Sequence, residues 1–187
     1  MLRMINPDRI GSATYTVTQA LGDIQGFDTL FAPDDDIHAA MMTELNKAVA
    51  LGAGVECHSS QFGFTLPDVA TAFIALSKNA KSRFLFDRSQ GAGKAEAPLI
   101  AQMRAGIPKG QMAVGTSRVA GQILHTKAIV LLYPDGTGWT MTGSWNISNS
   151  ANEQFNIDDF IISRSRAELF ASKIDAMFAW VAANEPQ

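Results

Sequence analysis

The sequence holds a single cysteine, Cys57, so no intrachain disulfide can form and a cysteine-built zinc centre is excluded. No apolar run reaches the roughly 18 residues that a membrane-spanning helix needs. The first residues, Met1 to Asp8, lack the apolar core of a signal peptide. These absences fit a chain without stable membrane insertion. They also fit a cytoplasmic location, or a periplasmic or secreted one if a leader has been removed. Charged residues are sparse at 18 %, against 47 % hydrophobic, which is the composition of an ordinary globular chain and not of a disordered one. The net charge of −3 is too acidic for nucleic-acid binding by bulk charge alone. Histidine is scarce as well, with only His38, His58 and His125 able to serve imidazole chemistry.

The charge is unevenly placed. Residues 61–135 carry a balance of +5, between an acidic first third at −5 and an acidic last third at −3. Scattered solvated charge is the ordinary explanation, and a local site for an anion such as phosphate is the sharper one. At 187 residues the chain is one domain. Residues 1–26 show no clear period and read as an N-terminal extension. From residue 27 strands alternate with helices. A strand over 27–31 is followed by Asp34-Asp35-Asp36, an acidic N-cap for a helix through Ile37, Met41, Leu45 and Val49. Residues 55–64 read as a strand, and Thr65-Leu66-Pro67-Asp68 as a capping box opening a second helix. Residues 83–86 form a short apolar strand ending at Asp87. A helix is expected over 95–105 and a long loop over 106–120. A strand over 122–133 turns through Pro134 to Gly138 into its hairpin partner, 139–142. A strand over 155–163 and a helix over 168–183 complete the pattern. The fold class is α/β: a single domain over 27–187, with a mixed central sheet flanked by helices.

The residues with chemistry gather in three places along the chain. In His125-Thr126-Lys127, His125 and Lys127 project from one face of a strand. Gly143-Ser144-Trp145-Asn146 closes the hairpin partner and puts Ser144 and Asn146 on one face. Asn156-Ile157-Asp158 opens the next strand. Together they supply an imidazole, an ammonium, a hydroxyl, an amide and a carboxylate. A neutral imidazole can attack phosphorus and form a covalent intermediate. Lys127, Ser144 and Asn146 can hold the non-bridging oxygens. Asp158 is placed to orient His125 through its second ring nitrogen. The set asks for no cofactor and no metal. Each short motif alone is weak; their joint occurrence, in order and on a hairpin, is specific. His58 reads as a packed histidine, His38 as a surface one, and Trp145 as a packing residue.

His-x-Lys followed by Gly-Ser-x-Asn resembles the signature of the phospholipase D superfamily. The resemblance extends to Phe62-Gly63-Phe64-Thr65-Leu66-Pro67-Asp68-Val69-Ala70, to Phe84-Leu85-Phe86-Asp87-Arg88-Ser89-Gln90, and to Asn156-Ile157-Asp158, where the family usually has Glu in the place of Asp158. It runs from about Phe31 to the C-terminus. One departure is clear: the family's aspartate five residues after the lysine is Leu132 here, with Asp135 in the following turn. Related enzymes that remove tyrosyl adducts from DNA also lack it. The chain carries one motif, like the small family members that are metal-independent nucleases and dimerise to bring two motifs together. The resemblance therefore implies a phosphodiesterase acting on DNA or RNA as a homodimer, with the active site at the two-fold interface. A phospholipid head-group hydrolase and a degenerate nucleic-acid-binding module are the alternatives.

Overall fold

A computed structural model describes residues 23–118 and 122–184. Seven strands form one mixed sheet: β1 (Gly26–Ala32), β2 (Glu56–Gln61), β3 (Arg83–Asp87), β4 (Met112–Gly115), β5 (Lys127–Leu132), β6 (Gly138–Gly143) and β7 (Asn156–Ile162). Their order is β1-β7-β6-β5-β2-β3-β4. β2, β3 and β4 run parallel, and every other pairing is antiparallel. Helices α1 (Ile37–Leu51), α2 (Pro67–Leu76) and α3 (Glu96–Gly106) cover one face, and α4 (Arg164–Asn184) lies across β2 to β6 on the other.

Local chemistry accounts for the main boundaries. α1 starts where expected because the Asp36 carboxylate accepts the Ala39 N–H at 2.9 Å, satisfying a donor the helix cannot. The expected capping box at Thr65 does not form. Leu66 is the cap residue, Pro67 needs no donor partner in the first turn, and the Thr65 N–H is drawn away to the Ile147 carbonyl at 2.6 Å. At the start of α4, Ser163 Oγ accepts the Arg166 N–H at 3.2 Å.

The larger core lies between the sheet and α1–α3. There Phe64, Phe73, Phe84 and Phe86 pack in sequence, with ring centroids 5.0 to 5.8 Å apart. Leu132, in the place of the family aspartate, is buried with Ala128, Val130, Ala171 and Ile174 in a second cluster under α4. An aspartate there would lose its hydration against a wall of methyl groups, so leucine suits the position. Asp135 does not replace it, because both the Thr137 N–H and hydroxyl bond to it within the hairpin turn.

Two further expectations are corrected. The segment 106–120 contains β4, a strand of four buried residues with no alternation to betray it. The strand expected over 122–133 begins only at Lys127, where pairing with Gln61 begins, so His125 precedes β5. Residues 1–22 of the expected extension lie outside the described residues. Those that follow already join the domain. The Gln25 N–H donates to the Ile162 carbonyl at 2.8 Å, and the Asp23 carboxylate accepts from Ser163 and Ser165.

Candidate active site

β2 sets the position of the site because it ends directly opposite the start of β5, Gln61 facing Lys127. One residue beyond, the Phe62 ring stands edge-on to the His125 imidazole, with centroids 4.7 Å apart. The Lys127 ammonium lies 5.2 Å from the centre of the same ring, a cation–π distance. Lys127 Nζ approaches His125 Nε2 to 3.2 Å. An ammonium can only donate, so this bond fixes Nε2 as the acceptor and puts the ring proton on Nδ1. His125 itself is exposed.

His125 owes its place to a residue distant in sequence. Asp87, buried at the end of β3, accepts the Ser89 N–H and hydroxyl on one carboxylate oxygen. On the other it accepts the Leu124 N–H at 2.7 Å. That bond pins the backbone one residue before the imidazole. Gln90 in the next turn accepts the Phe64 N–H at 2.9 Å and anchors the segment after Phe62. The run Asp87 to Gln90 therefore holds both sides of the His125–Phe62 contact in place.

Lys127 is buried at 9 % exposure, and among the described residues no carboxylate lies within ion-pair distance of it. Burial pushes its pKa below the ordinary lysine value, with the Asp158 charge partly opposing the shift. Asp158 shows the complementary effect. Burial raises its carboxyl from 3.8 to about 6, against the lowering effect of the Trp145 and Ser144 backbone N–H groups and of Lys127.

The Gly-Ser-x-Asn turn is built around Asp158. Its Oδ2 accepts the Trp145 N–H at 2.9 Å. A Cβ on Gly143 would overlap both the Ile157 carbonyl and the Asp158 carboxylate, so only glycine fits. Within the chain, Asp158 makes no hydrogen bond to His125; the direct contact expected from the sequence is absent because the carboxylate is turned onto this loop. Ser144 is exposed, but its hydroxyl is engaged, donating to Asn156 Oδ1 at 3.1 Å and accepting the Ile157 N–H at 3.0 Å. Asn146 packs against Gly63, and its Oδ1 is buried without a partner among the described residues. The structure thus joins His125, Lys127 and Phe62 directly, reaches Asn146 through Gly63, and links Asp158 to Lys127 by charge.

The other histidines are committed elsewhere. His58 Nδ1 lies 2.8 Å from Asp175 on α4, and His38 Nε2 lies 2.8 Å from Asp68. The Trp145 ring is buried, with Nε1 donating to Asn152. Sequence reasoning missed Phe62, Gln61 and the anchoring role of Asp87. For Phe62 the signal was available: it follows the strand that pairs with Lys127.

No protein-family model and no curated protein matches the sequence. Solved structures do. Nuc from Salmonella typhimurium, described as a phospholipase D family member, superposes with a TM-score of 0.59 at 19 % identity, over 80 % of this chain and 91 % of its own. NucT from Helicobacter pylori gives 0.57 at 12 % identity, over 84 % of this chain and 96 % of its own. Polyphosphate kinase from Porphyromonas gingivalis gives 0.56 at 14 % identity, over 87 % of this chain and 27 % of its own. These likenesses, with the strand order above, give the chain the fold of the phospholipase D family member Nuc.

Proposed function

We propose that the chain is a metal-independent phosphodiesterase acting on nucleic acid, with His125 as nucleophile. The observation that carries the reading is Lys127: an ammonium nine-tenths buried, bonded to His125 Nε2, with no carboxylate paired to it among the described residues. A buried charge without a partner is costly, and an incoming phosphodiester supplies the missing anion. In the proposed reaction Lys127 turns from His125 Nε2 to a non-bridging oxygen, which frees the Nε2 lone pair; Nε2 attacks phosphorus, a P–N bond forms and the bond to the leaving oxygen breaks. Water then attacks, the P–N bond breaks, and the phosphate leaves with the water oxygen. Lys127 and Asn146 meet the charge on the non-bridging oxygens. Asp158 holds the Gly143–Trp145 turn and supports Lys127 electrostatically. Any direct orienting bond from Asp158 to His125 would require a rearrangement or a second chain.

The leaving oxygen needs a proton, and neither His38 nor His58 lines the cleft beside His125. We assign that role to His125 of a second copy across a two-fold axis. Apolar exposure beside the site supports such an interface: Phe155 is 96 % exposed and Ile157 55 %, flanking Asn156, which opens β7 and is bonded to Ser144. Hydrolysis of single-stranded DNA, RNA and a phosphatidylcholine dispersion is the test, measured with and without EDTA for the native chain and for His125→Ala. Nucleic-acid cleavage that survives EDTA and falls by several orders of magnitude in the folded variant is expected. Cleavage abolished by EDTA and restored by a divalent ion refutes the metal-free mechanism, and near-native activity of His125→Ala refutes the nucleophile.

A further inference from the structure

Beside His125 a cleft of about 380 Å³ opens between the sheet and α4. Its size lies within the range of small-ligand sites. His125 and Gly143 line it, so it is continuous with the candidate active site. The sheet side carries hydroxyls: those of Ser60 and Thr126, hydrogen-bonded to each other, and that of Thr142, a hydroxyl with no hydrogen-bond partner among the described residues. The α4 side is apolar, with Leu169, Phe170, Ile174 and Met177 one above another at helical spacing, and Lys173 among them.

We infer that this cleft receives one nucleobase attached to the scissile phosphodiester, so that the substrate is single-stranded nucleic acid. The inference rests on the phosphodiesterase reading and specifies its substrate. A heteroaromatic base has two apolar faces and a polar edge. Its faces match Phe170 and Met177 on α4, and its edge matches the Thr142 hydroxyl and the Ser60–Thr126 pair on the sheet. An acyl chain fits the helix side but leaves the Thr142 hydroxyl stripped of water with nothing to bond, which is unfavourable. A base paired within a duplex cannot enter a cleft between a helix and a sheet unless it is first flipped out of the stack. Single strands are therefore preferred.

The test is binding, which does not depend on turnover. Short single-stranded phosphorothioate oligonucleotides are titrated by fluorescence anisotropy, one strand with all its bases and one abasic throughout. Leu169→Trp narrows the cleft from α4 at a half-buried position outside the packed clusters, and Thr142→Val removes a hydroxyl without changing volume. Thermal unfolding by circular dichroism confirms that each variant is folded. Leu169→Trp is expected to raise Kd for the base-containing strand about tenfold and Thr142→Val about threefold, with Kd for the abasic strand changed less than twofold. Equal effects on the two strands, or none on either, overturn the base site. So does competition by phosphatidylcholine vesicles but not by free nucleosides. Failure of the native chain to cleave the unmodified strand is a separate result, and counts against the phosphodiesterase reading alone.

Discussion

Asp158→Asn should stabilise the protein in a strictly pH-dependent way. The carboxyl is 1 % exposed and its pKa is raised from 3.8 to about 6 by burial. A carboxyl that holds its proton more tightly when folded favours the folded state at acid pH. That contribution is complete below 3.8 and is lost as pH rises through 6. The interval between 3.8 and about 6, at 1.36 kcal/mol per pH unit, corresponds to ~3 kcal/mol. Asparagine removes the titration while keeping an oxygen to accept the Trp145 N–H. The variant should therefore match the native chain within ~1 kcal/mol at pH 4 and exceed it by ~3 kcal/mol at pH 8. At roughly 2–4 °C per kcal/mol for a chain of this size, Tm at pH 8 should rise by about 6–12 °C. Urea unfolding at both pH values measures the difference. Catalysis should move the other way, since Lys127 loses the charge that partly offsets its burial. A stability gain that is the same at pH 4 and pH 8 would refute the reasoning, as would a carboxyl found by NMR to titrate below 4.5.

Three further outcomes are expected. Asp87→Ala orphans the buried Leu124 N–H and should cost about 1–3 kcal/mol; kcat should fall at least tenfold with KM little changed, and unchanged steady-state kinetics would show that Leu124 does not set His125. Gly63→Ala places a methyl 2.9 Å from Asn146 Oδ1, so activity should drop with little loss of Tm; full activity would remove Asn146 from the site. Phe155→Ser, at a residue 96 % exposed, should change the stability of the isolated chain by less than ~0.5 kcal/mol. It should nevertheless lower the mass measured by light scattering from dimer towards monomer, and a native chain that is monomeric and active would end the dimer proposal.

The elements with strong periodicity or a local cap were legible in the sequence. α1 announces itself through Asp36 and the stripe Ile37, Met41, Leu45, and the β5–β6 hairpin through Asp135 and Gly136. What escaped depended on distant partners. β4 is four residues buried on both faces, and only its pairing with β3 makes it a strand. The start of β5 was placed too early because nothing in residues 122–126 says that β2 stops at Gln61. In the site, the proximity of His125 and Lys127 survived that error, since residues two apart stay close whether or not the strand is regular. The direction of the Asp158 carboxylate did not survive. Sequence order places it near the motif, but the choice between His125 and Trp145 is made by a turn geometry that spacing does not encode.

The bond between Asp87 and the Leu124 N–H joins two points 37 residues apart and closes the excursion that contains α3 and β4. The His125 imidazole is thus referenced to the end of β3 and not to the chain that leads into it. The excursion behaves as a bracketed insert, fixed at both ends. Changes in length at its exposed turns, around residues 92–95 and 108–110, are absorbed before they reach His125. A lineage carrying this fold is free to remodel that stretch while the His125 imidazole stays where it is.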